Sequence, residues 1–336
     1  MKKLGTNLLP KRFIKNEKLG TTFTSQIRHY IPPNRARKLF AHMKRYYARR
    51  AERKKQSKMH GWDHVLPVAE FCVVLTRDAG GTAEEQELAF VAGLLHDACR
   101  IPESREGKKI DKHELWGAQF AKKLLPRLGY DERETKTIAE AIASHSFSST
   151  PKGEKKVAPS RGLVAWALKA ADKKEQYEPR TLWRRGVFIG ESLNETPSFE
   201  TIVAYWKSRI ENCDKFLRQP GGKMLKKSFP KSLEGLGLIK EYFKRMLQEK
   251  NLAEKLGLEK ELEIAGALGI TLYCFDAGRK GAATEQARKG YAKKLGKFSA
   301  KMRKKRYSAR QKQVLRDALR FSMKVLKATP LQEVFA

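Results

Sequence analysis

Six side chains of the kind that bind transition metals stand in order along the middle of the chain: His64, His96, Asp97, His113, His145 and Asp172. The chain has 7 histidines, and five of them fall between His60 and His145. Imidazole and carboxylate together suit Mn²⁺, Fe²⁺, Ni²⁺, Co²⁺ or Zn²⁺, and a set without cysteine is not that of a closed structural zinc site. A metal so held, with a coordination position left open, supplies a water of lowered pKa for attack on an electrophile.

Helical spacing must position these groups. Val65, Val68, Ala69 and Cys72 form an apolar stripe behind an Asp63 start, with Pro67 tolerable in or near the first turn. Leu88, Val91, Ala92, Leu95 and Cys99 form a second stripe, with His96 and Asp97 at its edge. Asp111 and Glu114 have capping-box spacing, which puts His113 in the first turn of a helix running to Leu128 and stopped by Gly129. His145 shares a face with Ile138, Ala141 and Ile142, and Asp172 ends the stripe of Val164 and Leu168. A carboxylate on a core-facing stripe needs a metal, a cation or several hydrogen bonds. Taken singly, each of these residues reads as a satisfied core or capping group. Six of them on at least five helices make coincidence the weaker account.

The motifs around them resemble the HD superfamily of metal-dependent phosphohydrolases over residues 59–190. HGWDHVLPVAEF resembles the family's opening helix, AGLLHDACR its LLHD helix, HELWGAQFA its HxxxGA segment, and AIASHS and LKAADKKE its later segments. The resemblance implies that His64, His96, Asp97 and Asp172 ligate a first metal. It implies that His113 and His145 hold a second, with Asp97 bridging. The implied cofactor is one or two divalent ions (Mn, Fe, Ni, Co, Zn or Mg), with Asp97 and Arg100 catalytic and His60, Arg100 and Lys173 meeting the substrate. His60 reads equally well as solvent-exposed. Two departures stand out: Cys99 replaces the family's usual glycine, and Lys173-Lys174-Glu175 replaces an apolar residue followed by Asp.

Net charge is +34 and unevenly spread. Residues 1–58 hold 18 Lys and Arg against 2 acids, residues 59–180 hold 19 against 19, and residues 261–336 hold 18 against 6. The histidine-bearing segment is neutral, and the basic flanks favour polyanions such as RNA or DNA. The longest uncharged stretch of the C-terminal half, Ile264 to Phe275, is too short to span a bilayer. No apolar run follows Lys2 and Lys3, against a secretory signal, although the Arg- and Lys-rich first 58 residues also fit a transit peptide. Cys72, Cys99, Cys213 and Cys274 are dispersed, as reduced core thiols of a cytoplasmic protein would be.

Strand signal is nearly absent, so the expected fold is all-α: an HD-like helical bundle around a metal site with basic helical extensions at both ends. The expected division is a basic extension over 1–58, a phosphohydrolase domain over 59–250 and a basic helical region over 251–336. Phe199 to Phe216 reads as helix, Gln219 to Gly222 as a break, and Trp183 to Gly190 as helix or loop. Ile239, Phe243, Met246 and Leu247 mark an amphipathic helix, Leu262 to Phe275 one buried helix, and 282–328 one or two basic helices. Three functions follow. The first is hydrolysis of a nucleotide-type phosphomonoester or phosphodiester, the second a nuclease for RNA or single-stranded DNA held by the flanks. The third is a nucleic-acid-binding protein on a non-catalytic scaffold.

Overall fold

The structure is a computed structural model of the 336-residue chain, and it describes residues 33–52, 60–100, 113–145 and 162–328. Among these residues every regular element is helical, fourteen α-helices and three short 3₁₀ turns, so the all-α expectation holds. They gather into two compact units, divided between Asp172 and Lys173.

The first unit contains α1 (Asn34–Glu52), α2 (Trp62–Asp78), α3 (Ala83–Leu95), α4 (His113–Leu124), α5 (Glu132–Ala143) and most of α6 (Leu163–Lys174). Capping boxes start two of them: Thr82 with Glu85 on α3, and Asp131 with Glu134 on α5. α1 buries Leu39, Met43 and Tyr47 in this unit. It is also tied by charge. Arg35 meets the buried Glu87 of α3 at 2.7 Å and the buried Glu134 of α5 at 2.6 Å, while its guanidinium lies 4.2 Å over the Tyr130 ring.

Two expectations change here. α4 stops at Leu124 rather than Leu128, because Pro126 has no N–H to continue the ladder; a 3₁₀ turn over Pro126–Leu128 follows, and Gly129 (φ 88°) closes it. Pro67 lies in the second turn of α2, where it removes one ladder bond. The Asp111 cap lies outside the described residues.

The second unit begins with the end of α6 and continues through α7 (Thr181–Ser192), α8 (Phe199–Phe216), α9 (Pro220–Ser228), α10 (Glu234–Leu256), α11 (Glu259–Ala265), α12 (Ala267–Arg279), α13 (Thr284–Lys304) and α14 (Ala309–Ala328). Its core centres on Trp183, Trp206, Tyr242, Ile270, Tyr291 and Phe321. The stretch expected as one buried helix from Leu262 to Phe275 is two. Gly266 is extended (ψ −176°), and the buried Glu249 of α10 accepts the Ala267 N–H at 2.6 Å, capping α12. The chain between α8 and α9 breaks at Leu217–Gln219, and Pro220 opens α9 at its first position, so Gly221 and Gly222 are helical. Ala318, Phe321 and Val325 are buried on α14, with Val314 half-buried beside them.

Candidate metal centre

Local sequence sets each of the six groups in place. On α2, His64 falls in the first turn and donates its backbone N–H to Gly61 O (3.0 Å). α3 runs close against α2 because Gly93 has no side chain; a Cβ there would lie 2.9 Å from Ala69 N. α3 then ends, and His96 and Asp97 occupy the turn that follows, closed by Ala98 N–H to Leu95 O and Arg100 N–H to Asp97 O, both 3.0 Å. His113 is the first residue of α4, which approaches that turn at Gly117, where a Cβ would lie 3.3 Å from His96 O. His145 follows α5, and Asp172 stands near the end of α6.

The six converge. His64 Nε2 lies 3.3 Å from His96 Nε2, 3.5 Å from Asp97 Oδ2 and 3.4 Å from Asp172 Oδ1. His96 Nε2 is 3.4 Å from Asp97 Oδ2 and 3.9 Å from Asp172 Oδ1. On the other side of the carboxylate, His113 Nε2 is 3.5 Å from Asp97 Oδ1. Asp97, His113 and His145 present ligand atoms within 4.8 Å of one another, as do His64, His96 and Asp97. Ligands about 2.1 Å from a tetrahedral or octahedral ion stand about 3.0–3.5 Å apart, so these spacings fit a shared ion. Asp97 belongs to both groups.

The imidazoles are prepared for such a role. His96 Nδ1 is 2.8 Å from Gly93 O and His145 Nδ1 is 2.6 Å from Ile142 O. Each Nδ1–H donating to its carbonyl leaves the Nε2 lone pair for a cation. His113 Nδ1 lies at ion-pair distance, 3.4 Å, from Glu114 Oε2. Burial, then the neighbouring His96 and His113, pulls His145 down to about 3, so the ring is neutral. Burial would raise Asp97, but His96, His60 and Arg100 hold it well below the carboxylate range, so it stays ionised at 1% exposure. An ionised carboxylate ringed by buried imidazoles is a donor set that fits divalent cations.

The three residues expected to meet substrate differ in setting. Arg100 Nη1 lies 3.2 Å from His113 Nε2 and 3.9 Å from Asp97 Oδ1, at the margin of the cluster. His60 is buried at 8% exposure with its ring 5.6 Å from that of His64, so its solvent-exposed reading is set aside. Lys173 follows Asp172 on α6 and is half-buried.

Three residues on α1 join the site without any signal in the motifs. Tyr46 Oη donates to Ala98 O (3.0 Å), and Arg50 Nη2 donates to Arg100 O (3.1 Å), so α1 holds the main chain of the His96–Arg100 turn from behind. Tyr47 is 1% exposed; burial, then the Asp97 charge among its neighbours, pushes its phenol well above the usual range. Arg50 reads in the sequence as one of a cluster of basic residues, and nothing in its spacing marks it.

Residues 61–177 match the family model of the HD domain. Over 75 residues the chain is 40% identical to "Putative phosphohydrolase YueE" of Bacillus subtilis (strain 168), covering 20% of this chain and 43% of that protein. Over 67 residues it is 39% identical to a bifunctional uridylyltransferase/uridylyl-removing enzyme of Erythrobacter litoralis (strain HTCC2594), covering 20% of this chain and 6% of the other. The chain thus spans less than half the length of either relative. No solved structure matches it. With the motifs, the geometry and the family match in agreement, this chain carries an HD domain at residues 61–177.

Proposed function

We propose that the chain is a metal-dependent phosphohydrolase acting on a phosphomonoester or phosphodiester of a nucleotide-type substrate. The observation that carries this is the sharing of Asp97 between two buried ligand groups. On this reading His64, His96, Asp97 and Asp172 hold one divalent ion, and His113 and His145 complete a second site with Asp97. Such ions, when bound, bring a water toward neutral pKa and offset charge on phosphoryl oxygens. The protein's own residues supply the rest. Gly93 O and Ile142 O fix the ring tautomers of His96 and His145, the enclosing helices exclude bulk water, and Arg100 stands where its guanidinium meets a phosphoryl oxygen. The name of the Bacillus subtilis relative supports hydrolysis at phosphorus.

A second reading, a nuclease for RNA or single-stranded DNA, is favoured by one feature of the second unit. Lys289, Lys293, Lys297 and Lys301 stand four apart on the exposed face of α13, with only Ala292, Gly296 and Ala300 between them on that face. Four helical residues rise about 6 Å and pass a full turn by about 40°, so this is a gently winding row of cations. Lys289 reaches Glu285 at 3.8 Å; among the described residues the other three form no ion pair.

Purified protein is expected to retain one or two equivalents of divalent transition metal by elemental analysis, and Asp97→Ala to lose both metal and activity. Metal content unchanged by Asp97→Ala sinks the site. Assay with Mn²⁺ against nucleotides, RNA and single-stranded DNA separates the two readings: turnover of small nucleotides alone ends the nuclease reading.

A further inference from the structure

Among the described residues, two large apolar side chains are left in solvent, Met323 of the second unit and Trp116 of the first, the latter at 39% exposure. The place of Trp116 on α4 ties it to the metal centre. α4 turns His113 and Gly117 toward the cluster: His113 Nε2 lies 3.5 Å from Asp97 Oδ1, and a Cβ at Gly117 would lie 3.3 Å from His96 O. Trp116 follows His113 by three residues, which sets their Cβ atoms about 5–6 Å apart and turns Trp116 about 60° round the helix from it. The indole therefore leaves α4 beside the ligand, on a flank open to solvent.

Other rings and cations extend this flank. One turn on, the half-buried Phe120 has its ring 5.4 Å from that of Tyr46 on α1, and the Arg50 guanidinium lies 5.6 Å from the Tyr46 ring centre. Arg50 in turn reaches Arg100 O, and Arg100 Nη1 lies 3.2 Å from His113 Nε2. Aromatic rings and guanidiniums thus border the His113 edge of the metal centre.

A single apolar side chain at a surface needs no explanation. A tryptophan that joins such a border calls for a ligand that is flat and apolar at one end and anionic at the other. An indole face stacks on any nucleobase, because every base has a π-face, and a guanidinium grips phosphoryl oxygens. In a nucleoside phosphate the base stands one sugar away from the phosphate, and Trp116 stands one helical turn from His113. A sugar phosphate without a base would leave the indole in water.

We propose that Trp116 is the residue on which the base of a nucleotide substrate stacks while its phosphate sits at the metal centre beside Arg100. This rests on the phosphohydrolase reading and makes the base, as well as the phosphate, a group that the site selects.

The test compares the four ribonucleoside 5′-monophosphates with ribose 5-phosphate on the full chain with Mn²⁺, for wild type, Trp116→Leu and Trp116→Phe. Affinity is read as KM where a compound is turned over and as Kd by calorimetry where it is not. At least one nucleotide is expected to bind about tenfold or more tightly than ribose 5-phosphate. Trp116→Leu should erase that margin and leave ribose 5-phosphate binding unchanged, whereas Trp116→Phe keeps an aromatic face and should hold most of it. Both variants should melt with wild type, because the side chain is exposed. Of the 5 tryptophans, Trp183 and Trp206 are buried and Trp62 and Trp166 half-buried, so quenching of fluorescence by the nucleotide should also vanish in Trp116→Leu. The proposal is overturned if no nucleotide outbinds ribose 5-phosphate in wild type, or if Trp116→Leu keeps the margin. Asp97→Ala tells this failure from that of the metal reading: metal retained in Asp97→Ala ends the metal reading, whereas a base margin independent of Trp116 ends this proposal alone.

Discussion

Asp97 keeps its charge where burial works against it, and the reason is local: His96, His60 and Arg100 surround it with positive charge or hydrogen bonds. Glu70 is the contrasting case one helix away. It is 6% exposed on α2, and burial alone pushes its carboxyl up to about 8. Its folded pKa therefore exceeds the unfolded value of about 4.3. The folded state keeps a proton that the unfolded state gives up, so stability falls as pH rises from about 4.3 to 8 and then levels off. Glu70→Gln removes this dependence. Denaturant titrations should show the two proteins alike at pH 4 and the variant more stable at pH 7.5, by up to about 4 kcal/mol. Parallel stability curves across that range would rule the account out. At this scale legibility follows chemical rarity. Histidines and core-facing acids stand out in a neutral segment, whereas Arg50 is one among 71 Lys and Arg and shows its role only by the carbonyl it reaches.

Among elements, the first helix is the one whose role is read differently in three dimensions. α1 lies before the matched HD segment, and its sequence reads as part of a basic helical extension; in the structure it buries Leu39, Met43 and Tyr47 and braces the turn that carries His96 and Asp97. The brace makes a prediction. Tyr46→Phe and Arg50→Ala each free one carbonyl of that turn, so each should weaken metal affinity by about tenfold, as loss of outer supports of metal ligands does. Competition with a chromophoric chelator measures this. Circular dichroism melts should show stability losses of only about 0.5–1.5 kcal/mol for Tyr46→Phe. Unchanged affinity would make α1 a packing element only. Helix interiors were readable wherever an apolar stripe recurred, as over Phe199–Phe216. Helix ends were not, because they depend on partners distant in sequence, such as Glu249 capping α12 eighteen residues on.

Over the whole molecule, charge is segregated from chemistry. The segment holding the six groups is neutral, and the lysine row of α13 stands in a region with 18 Lys and Arg against 6 acids. If that row holds a polyanion, single-stranded RNA affinity should fall steeply with salt, with log–log slope diminishing by about 0.7 for each phosphate contact removed. Lys293→Glu with Lys297→Glu is expected to lower both affinity at low salt and the slope, read by fluorescence anisotropy. A slope that the double variant leaves intact places RNA binding elsewhere. Among the described residues no helix is long and apolar enough to cross a membrane. Cys72, Cys213 and Cys274 are buried and Cys99 half-buried, all four as free thiols.

From sequence alone come the helical class, the identity of the six candidate ligands and the uneven charge, because periodicity, residue chemistry and counting are properties of the chain itself. Tertiary structure decided the rest. It set Asp97 between two groups of imidazoles, turned α1 into a support for the His96–Arg100 turn and buried His60. Each of these depends on distances between residues tens of positions apart, which packing fixes and local spacing does not encode.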